Sequence, residues 1–262
     1  MTDSLFPSAA AAAAHCFVDR LDSAVTVDGP DGHHLQRVRR LRTGEIVTAA
    51  DGKGRWRRYV IAAVEPGRLL LRAESDVVVE PAPNPALVVA VALTKGAKLE
   101  TVVAQLTELG VARIEPVRAR RSVVRWNDDR AEAARARLAA VAREAAMQCR
   151  RSRIPDVTAV ADLSTLAGRP GLIVASRDGG AADSLPRPPG GTWTVVVGPE
   201  GGFEPGEVEM LAPAGFLALS PFVLRAQTAP VIAAGILVAQ GLHEPHVTSD
   251  APITVCESPR EA

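Results

Sequence analysis

Residues 80–85 read Glu-Pro-Ala-Pro-Asn-Pro, three prolines at alternate positions, and the chain is patterned differently on either side of them. Proline fixes φ and removes a backbone donor, so such a run suits neither a helix interior nor a sheet interior. It behaves as a stiff spacer, and we place a domain boundary there. Upstream, turn signals recur at short intervals: Asp28-Gly29-Pro30-Asp31-Gly32, Thr43-Gly44, Asp51-Gly52-Lys53-Gly54 and Pro66-Gly67. The segments between them, Ile46–Ala50, Trp56–Val64 and Arg68–Ala73, have strand character. Residues 1–79 are therefore expected to form a compact β-barrel domain. His33-His34 reads as a turn or barrel-edge pair. Ala9–Ala14 is short and lacks a basic flank, so it reads as a frayed segment and not as a signal peptide.

Downstream the pattern changes. Ala86–Leu93 is an unbroken apolar run, as in a strand buried on both faces. Leu99, Val102, Val103, Leu106 and Leu109 then recur at helical spacing, and Gly110 ends the helix. Val111–Val117 reads as the next strand. Residues 129–149 form a long Ala- and Arg-rich helix with Leu138, Val141, Ala145 and Cys149 on one face. Gly171–Ser176 and Trp193–Gly198 are further buried strands. Glu207–Leu211 starts a short helix, Phe216–Leu219 is a strand, and Pro230–Leu242 is an apolar helix. This alternation predicts an α/β domain with a mostly parallel sheet over residues 86–245, followed by a loose polar tail at 246–262.

Thirty basic residues balance thirty acidic ones. That argues against a uniformly basic nucleic-acid binder and leaves local patches open. Two such patches exist. Residues 33–60 carry eight basic side chains against two acidic, with Trp56 and Tyr59 interleaved, and residues 113–153 carry twelve Arg against five acids. Phosphate backbone is the partner such blocks suit, and solvated helix faces with local ion pairs are the plainer alternative. Only Lys53, Lys95 and Lys98 are lysines. The Arg bias fits bidentate phosphate contact, and it equally fits GC-rich coding. Cys16, Cys149 and Cys256 form no CxxC pair, so neither a zinc site nor a disulfide framework follows, and reduced thiols suit a cytoplasmic protein. His33-His34 lacks partners at ligand spacing, so no metal is expected. No stretch is long enough to span a membrane.

Two segments sit where an open parallel sheet binds ligands, beyond strand carboxyl ends. Gly198-Pro199-Glu200-Gly201-Gly202 directly follows a buried strand. Its glycines permit close backbone approach, yet it is neither a P-loop nor GxGxxG. It suits a nucleotide-like ligand held by backbone groups, or simply a tight turn capped by Glu204 with Pro205 at the first helical position. The second segment, Leu219 to Ala229, places Arg225 among apolar residues on the same edge, where it can hold an anion or be an ordinary surface arginine. Glu144 and Gln148 share one face of the long helix, with Arg151 near its end, and either line a cleft or face solvent.

Taken in order, these segments resemble the RsmE family of 16S ribosomal RNA uridine-N3 methyltransferases, within the SPOUT (trefoil-knot) superfamily. The resemblance runs from about residue 15 to 242. It is carried by His33–Glu45, by Lys95-Gly96 with Glu100, by Glu108–Val111, by Glu144–Arg151 with Ile154-Pro155, by Gly198–Gly202, and by Val223-Leu224-Arg225 with Thr228-Ala229. It implies a PUA-like RNA-binding barrel, a knotted α/β domain, S-adenosylmethionine as cofactor and a homodimer acting on 16S rRNA in the 30S subunit. Three loops would hold the cofactor, through Ala175, Ser176, Val197, Gly198, Pro199, Gly201, Gly202, Leu219, Ser220, Leu224 and Thr228. His34, Arg37, Arg39, Arg40, Arg42, Arg121 and Arg151 would meet RNA. Arg225 would steady the developing uracil anion or an adjacent phosphate. The family commonly has a Glu where this chain has Gln227 and a basic residue near Phe222, so orientation of the base here falls to Gln227, Glu200 or water. The alternatives are a non-catalytic RNA-binding assembly factor, which the Gln227 departure favours, and a SPOUT enzyme acting on transfer RNA. A nicotinamide-dependent oxidoreductase lacks its glycine fingerprint here.

Overall fold

The computed structural model describes residues 12–37, 40–93, 99–122, 124 and 126–243. Two compact units emerge. Among the described residues, the first comprises the stretch up to Pro81 together with Ala146–Arg153, and the second comprises Ala82–Ala145 with residues 154–243.

The first unit contains β1 (Ala14–Phe17), β2 (Ala24–Val27), α1 (Gly29–Arg37), β3 (Ile46–Ala50), β4 (Arg55–Glu65), β5 (Arg68–Ala73) and β6 (Val78–Val79). The sheet runs β1-β3-β4-β5-β2, with β6 on β4. β1 pairs with β3 in parallel, and the remaining pairs are antiparallel. A register shift between Ile61 and Ala63 bends the long strand β4. The two end strands contribute to one core: Cys16 of β1 and Val27 of β2 join Val47, Tyr59, Ile61, Leu69 and Leu71. The sheet is thus rolled around its apolar face.

Two expectations are corrected here. The Asp28–Gly32 signal is the start of helix α1, not a turn, and His33-His34 lies on that helix. Gly29, at φ +59°, reverses the chain, Pro30 tolerates the first turn, and Asp31 supplies the acid favoured there. A Cβ on Gly32 would lie 2.6 Å from the Gly67 carbonyl oxygen, so the helix needs glycine there to sit against the β4–β5 turn. Leu35 is buried in the barrel core. Of the presumed frayed segment, Ala12 and Ala14 are buried and Ala14 opens β1.

A buried histidine adds a polar centre to this unit. His15 Nε2–H donates to the Arg151 carbonyl at 3.1 Å, which leaves Nδ1 to accept from the Thr48 hydroxyl at 2.8 Å. Burial pushes the imidazole pKa down to about 4.

The second unit contains β7 (Ala86–Ala92), α2 (Leu99–Glu108), β8 (Arg113–Arg118), α3 (Asp128–Gln148), β9 (Asp156–Val157), β10 (Ala161–Asp162), β11 (Leu172–Gly180), β12 (Thr192–Val197), α4 (Pro205–Leu211), β13 (Gly215–Leu217) and α5 (Ala229–His243). Strand order is β10-β8-β7-β12-β11-β13, with β9 beside β8. Every strand pair of this unit among the described residues is parallel. The unbroken apolar runs now have their cause. Val89, Val91, Val195 and Val197 face one way, onto Val103, Leu106, Leu138, Ala233 and Leu237 of the helices. Ala90, Ala92, Val174 and Val196 face the other, with Leu163, Leu166 and Leu211. Both faces are covered, so no polar alternation is possible. Because β12, β11 and β13 are neighbours, the segments that leave their carboxyl ends share one rim.

Candidate active site

Those segments enclose a cavity of about 390 Å³, within the range typical of small-ligand sites. One wall is the end of β11, with Ala175, Ser176 and Asp178. A second is the turn after β12, with Gly198, Pro199, Glu200 and Gly202. The third is the segment between β13 and α5, with Leu219, Ser220 and Leu224. Val197 completes the floor. Of the expected cofactor residues, Gly201 and Thr228 stand just outside the wall. The Gly201 carbonyl accepts from Arg121 Nη1 at 2.7 Å. The Thr228 N–H donates to the Arg225 carbonyl at 2.8 Å, and its own carbonyl accepts from Ile232, so it opens α5.

The glycine turn is shaped by local sterics. A Cβ on Gly198 would lie 3.2 Å from the Phe203 ring, so a side chain at residue 198 would crowd the ring that covers the turn. Gly202 sits at φ +66°, in the left-handed region that glycine adopts without penalty, and its N–H donates to the Pro199 carbonyl at 2.8 Å. The turn then enters α4 through a capping box. The Glu204 N–H donates to Glu207 Oε2 at 2.9 Å, and Pro205 occupies the first turn. The segment is thus the capped strand-to-helix turn of the plainer reading, and it also walls a cavity.

The third wall is built differently. The Phe222 N–H donates to Ser220 Oγ at 3.0 Å. Phe222 and Val223 are 77 % and 78 % exposed, which is unusual for large apolar side chains. Arg225 and Gln227 are exposed on this same segment, beside the cavity.

The expected RNA residues fall in both units. Arg39 and the side chains of His34 and Arg37 lie outside the described residues, as do Lys95-Gly96 and the tail at 246–262. Arg40 and Arg42 are exposed in the first unit. Arg151, in the same unit, is half-buried, and burial holds its guanidinium below the usual pKa. Arg121 belongs to the second unit and is committed to the glycine turn.

Sequence reasoning missed a second concavity, of about 510 Å³, at the carboxyl ends of β8 and β10. Arg118, Arg120, Trp126 and Met210 are among its lining residues. Helix α4 separates the two hollows: Val208 faces the first, while Gly206 and Met210 face the second. The available signal was Arg118-Ala119-Arg120-Arg121, a basic run leaving a strand on the ligand-binding edge.

The RNA methyltransferase domain family matches residues 80–238, and the RNA methyltransferase PUA domain family matches residues 27–74. Ribosomal RNA small subunit methyltransferase E of Mycobacterium bovis is 35 % identical over 233 residues, covering 84 % of this chain and 88 % of the relative. The chain belongs to the ribosomal RNA small subunit methyltransferase E family. The family's Bacillus subtilis member is 31 % identical, over 79 % of this chain and 87 % of its own length. The Neisseria gonorrhoeae member, whose crystal structure is bound to S-adenosylmethionine, superposes with a TM-score of 0.72 at 26 % identity, covering 87 % of this chain and 97 % of that one. Within this family the rolled sheet is the PUA-like domain and the parallel-sheet unit is the SPOUT methyltransferase domain.

Proposed function

We propose that this protein transfers the methyl group of S-adenosylmethionine to N3 of a uridine in the 16S RNA of the small ribosomal subunit, in the cytoplasm and as a homodimer. One observation carries the reading: the glycine turn and the arginine-bearing segment, about 25 residues apart in sequence, wall one cavity at the carboxyl rim of the sheet. The cavity suits the cofactor chemically. Val174, Val197, Phe203, Leu219 and Leu224 offer apolar surface to an adenine and ribose. Ser176, Asp178, Glu200 and Ser220 offer polar groups to a zwitterionic tail. Gly198 and Gly202 bring the backbone within reach. Bound there, S-adenosylmethionine supplies a methyl group already activated by its sulfonium.

What the chain must add is placement and charge. Uracil N3–H is a weakly acidic imide, so the acceptor has to lose a proton to become nucleophilic. Arg225, beside the cavity, supplies a fixed positive charge for the developing anion or for an adjacent phosphate. Glu200, exposed on the cavity wall, is the carboxylate in position to orient the base or receive the proton, since Gln227 stands where the family commonly has Glu. N3 is inaccessible in a paired base, so the target is unpaired or flipped out. Arg40 and Arg42 of the PUA-like domain bind the phosphate backbone, with affinity that falls as salt rises. Phe222 and Val223 are apolar surface that a second copy covers. Among the described residues no helix is long and apolar enough to cross a membrane.

The test is to incubate the purified protein with labelled S-adenosylmethionine and 30S subunits lacking this modification, then to analyse nucleosides by mass spectrometry. N3-methyluridine at one position is expected, and light scattering should give twice the chain mass. Absence of both cofactor binding by calorimetry and methyl transfer favours the assembly-factor reading to which Gln227 points.

A further inference from the structure

The loop that leaves β8 is tied to the glycine turn by bonds that bridge some eighty residues of sequence. Arg121 Nη1 donates to the Gly201 carbonyl at 2.7 Å. The Arg120 N–H donates to Glu207 Oε1 at 2.8 Å, while Glu207 Oε2 takes the Glu204 N–H. Glu207 is 6 % exposed, so both oxygens of a buried carboxylate are spent joining this loop to the start of α4. The Arg120 guanidinium also reaches Glu204 at 3.4 Å. The Arg121 stem packs on the turn itself, with Cδ 3.4 Å from where a Gly201 Cβ would stand. The Gly201 carbonyl is held by a charged donor, and its neighbours Glu200 and Gly202 line the cavity. Charge-assisted hydrogen bonds are about twice as strong as neutral ones, and a carbonyl held from outside fixes the peptide plane on its inner side.

We infer that Arg121 is a positioning residue for the methyl-donor turn, set in line by Glu207, and that its work is on cofactor affinity and not on RNA. This rests on the cavity being the S-adenosylmethionine site. Half of the Arg121 side chain is exposed, so its removal leaves the core intact.

Calorimetry with S-adenosylmethionine, paired with steady-state kinetics on 30S subunits, tests it. R121A should weaken cofactor binding roughly tenfold, the scale of one charge-assisted hydrogen bond. It should leave KM for RNA and kcat at saturating cofactor within about twofold. R121K, which keeps one N–H donor in reach of the Gly201 oxygen, should recover most of the loss. If R121A binds the cofactor as the wild type does, the inference falls, whatever happens to RNA affinity. If lysine recovers nothing, the hydrogen bond is not what acts, and the inference falls as well. A wild-type protein that binds no S-adenosylmethionine would instead remove the function beneath it.

Discussion

Two walls of the same cavity are built on opposite principles. The glycine turn at 198–204 is held from every side: by the Phe203 ring, by Arg121 on the Gly201 carbonyl and by the capping box into α4. The segment at 219–228 has bonds at its two ends, Ser220 with Phe222 and Arg225 with Thr228, and presents its middle to solvent. A wall that must match a fixed small molecule gains from rigidity, because ordering costs are met at folding and not at binding. A wall that must meet a macromolecule, or a second copy of the chain, gains from exposed side chains. Substitutions should therefore separate: on the open wall they strike turnover and leave stability alone, and on the held wall they strike cofactor affinity and stability.

The largest separation is expected at Arg225. R225A should lower kcat by about 10²–10³ while cofactor affinity and melting temperature stay close to wild type. Full turnover would remove Arg225 from the chemistry and erase the contrast. Next comes a pH effect that belongs to neither wall. The His15 pKa is near 4 in the fold against 6.5 for a free imidazole, so folding favours the neutral ring. The associated stability is intact above pH 6.5 and is lost as pH falls toward 4, a total of about 3 kcal/mol. Urea melts at pH 7.5 and 4.5 should show this slope, and His15→Gln should flatten it. If the slope persists in that variant, it belongs to other groups. The smallest effect is on the held wall. Gly202→Ala forces a side chain to φ +66°, which costs about 1–2 kcal/mol of stability. It should also weaken the cofactor several-fold. Loss of affinity without loss of stability would mean that the turn is less rigidly held than its contacts imply.

Much of this was legible in the sequence, for identifiable reasons. The central strand Ala86–Ala92 of the SPOUT domain is apolar without interruption, and residues 195–197 beside it likewise, because helices cover both faces of a parallel sheet. The cavity was legible because both of its motifs directly follow strands, and strand carboxyl ends in such a sheet share an edge. Helix α1 was not legible. Gly-Pro-Asp-Gly serves equally as a turn and as the opening of a helix, and what decides is the burial of Leu35 and the fit of Gly32 against Gly67. The role of Arg121 was hidden for a different reason. Its basic neighbourhood reads as an RNA surface, and only the fold brings it to a carbonyl eighty positions away. The same holds for the second carboxylate oxygen of Glu207, whose capping partner is local and whose other partner, Arg120, is not.

The order of strands carries a consequence for synthesis. β7, the earliest strand of the SPOUT domain to leave the ribosome, lies mid-sheet between β8 and β12, so one of its hydrogen-bonding edges waits for residues more than a hundred positions later. The cavity needs later residues still, from the turn after β12 to Ala229 at the start of α5. A growing chain consequently has no complete cavity until nearly the whole domain has emerged. Occupancy of that cavity by any small molecule would then report a folded domain.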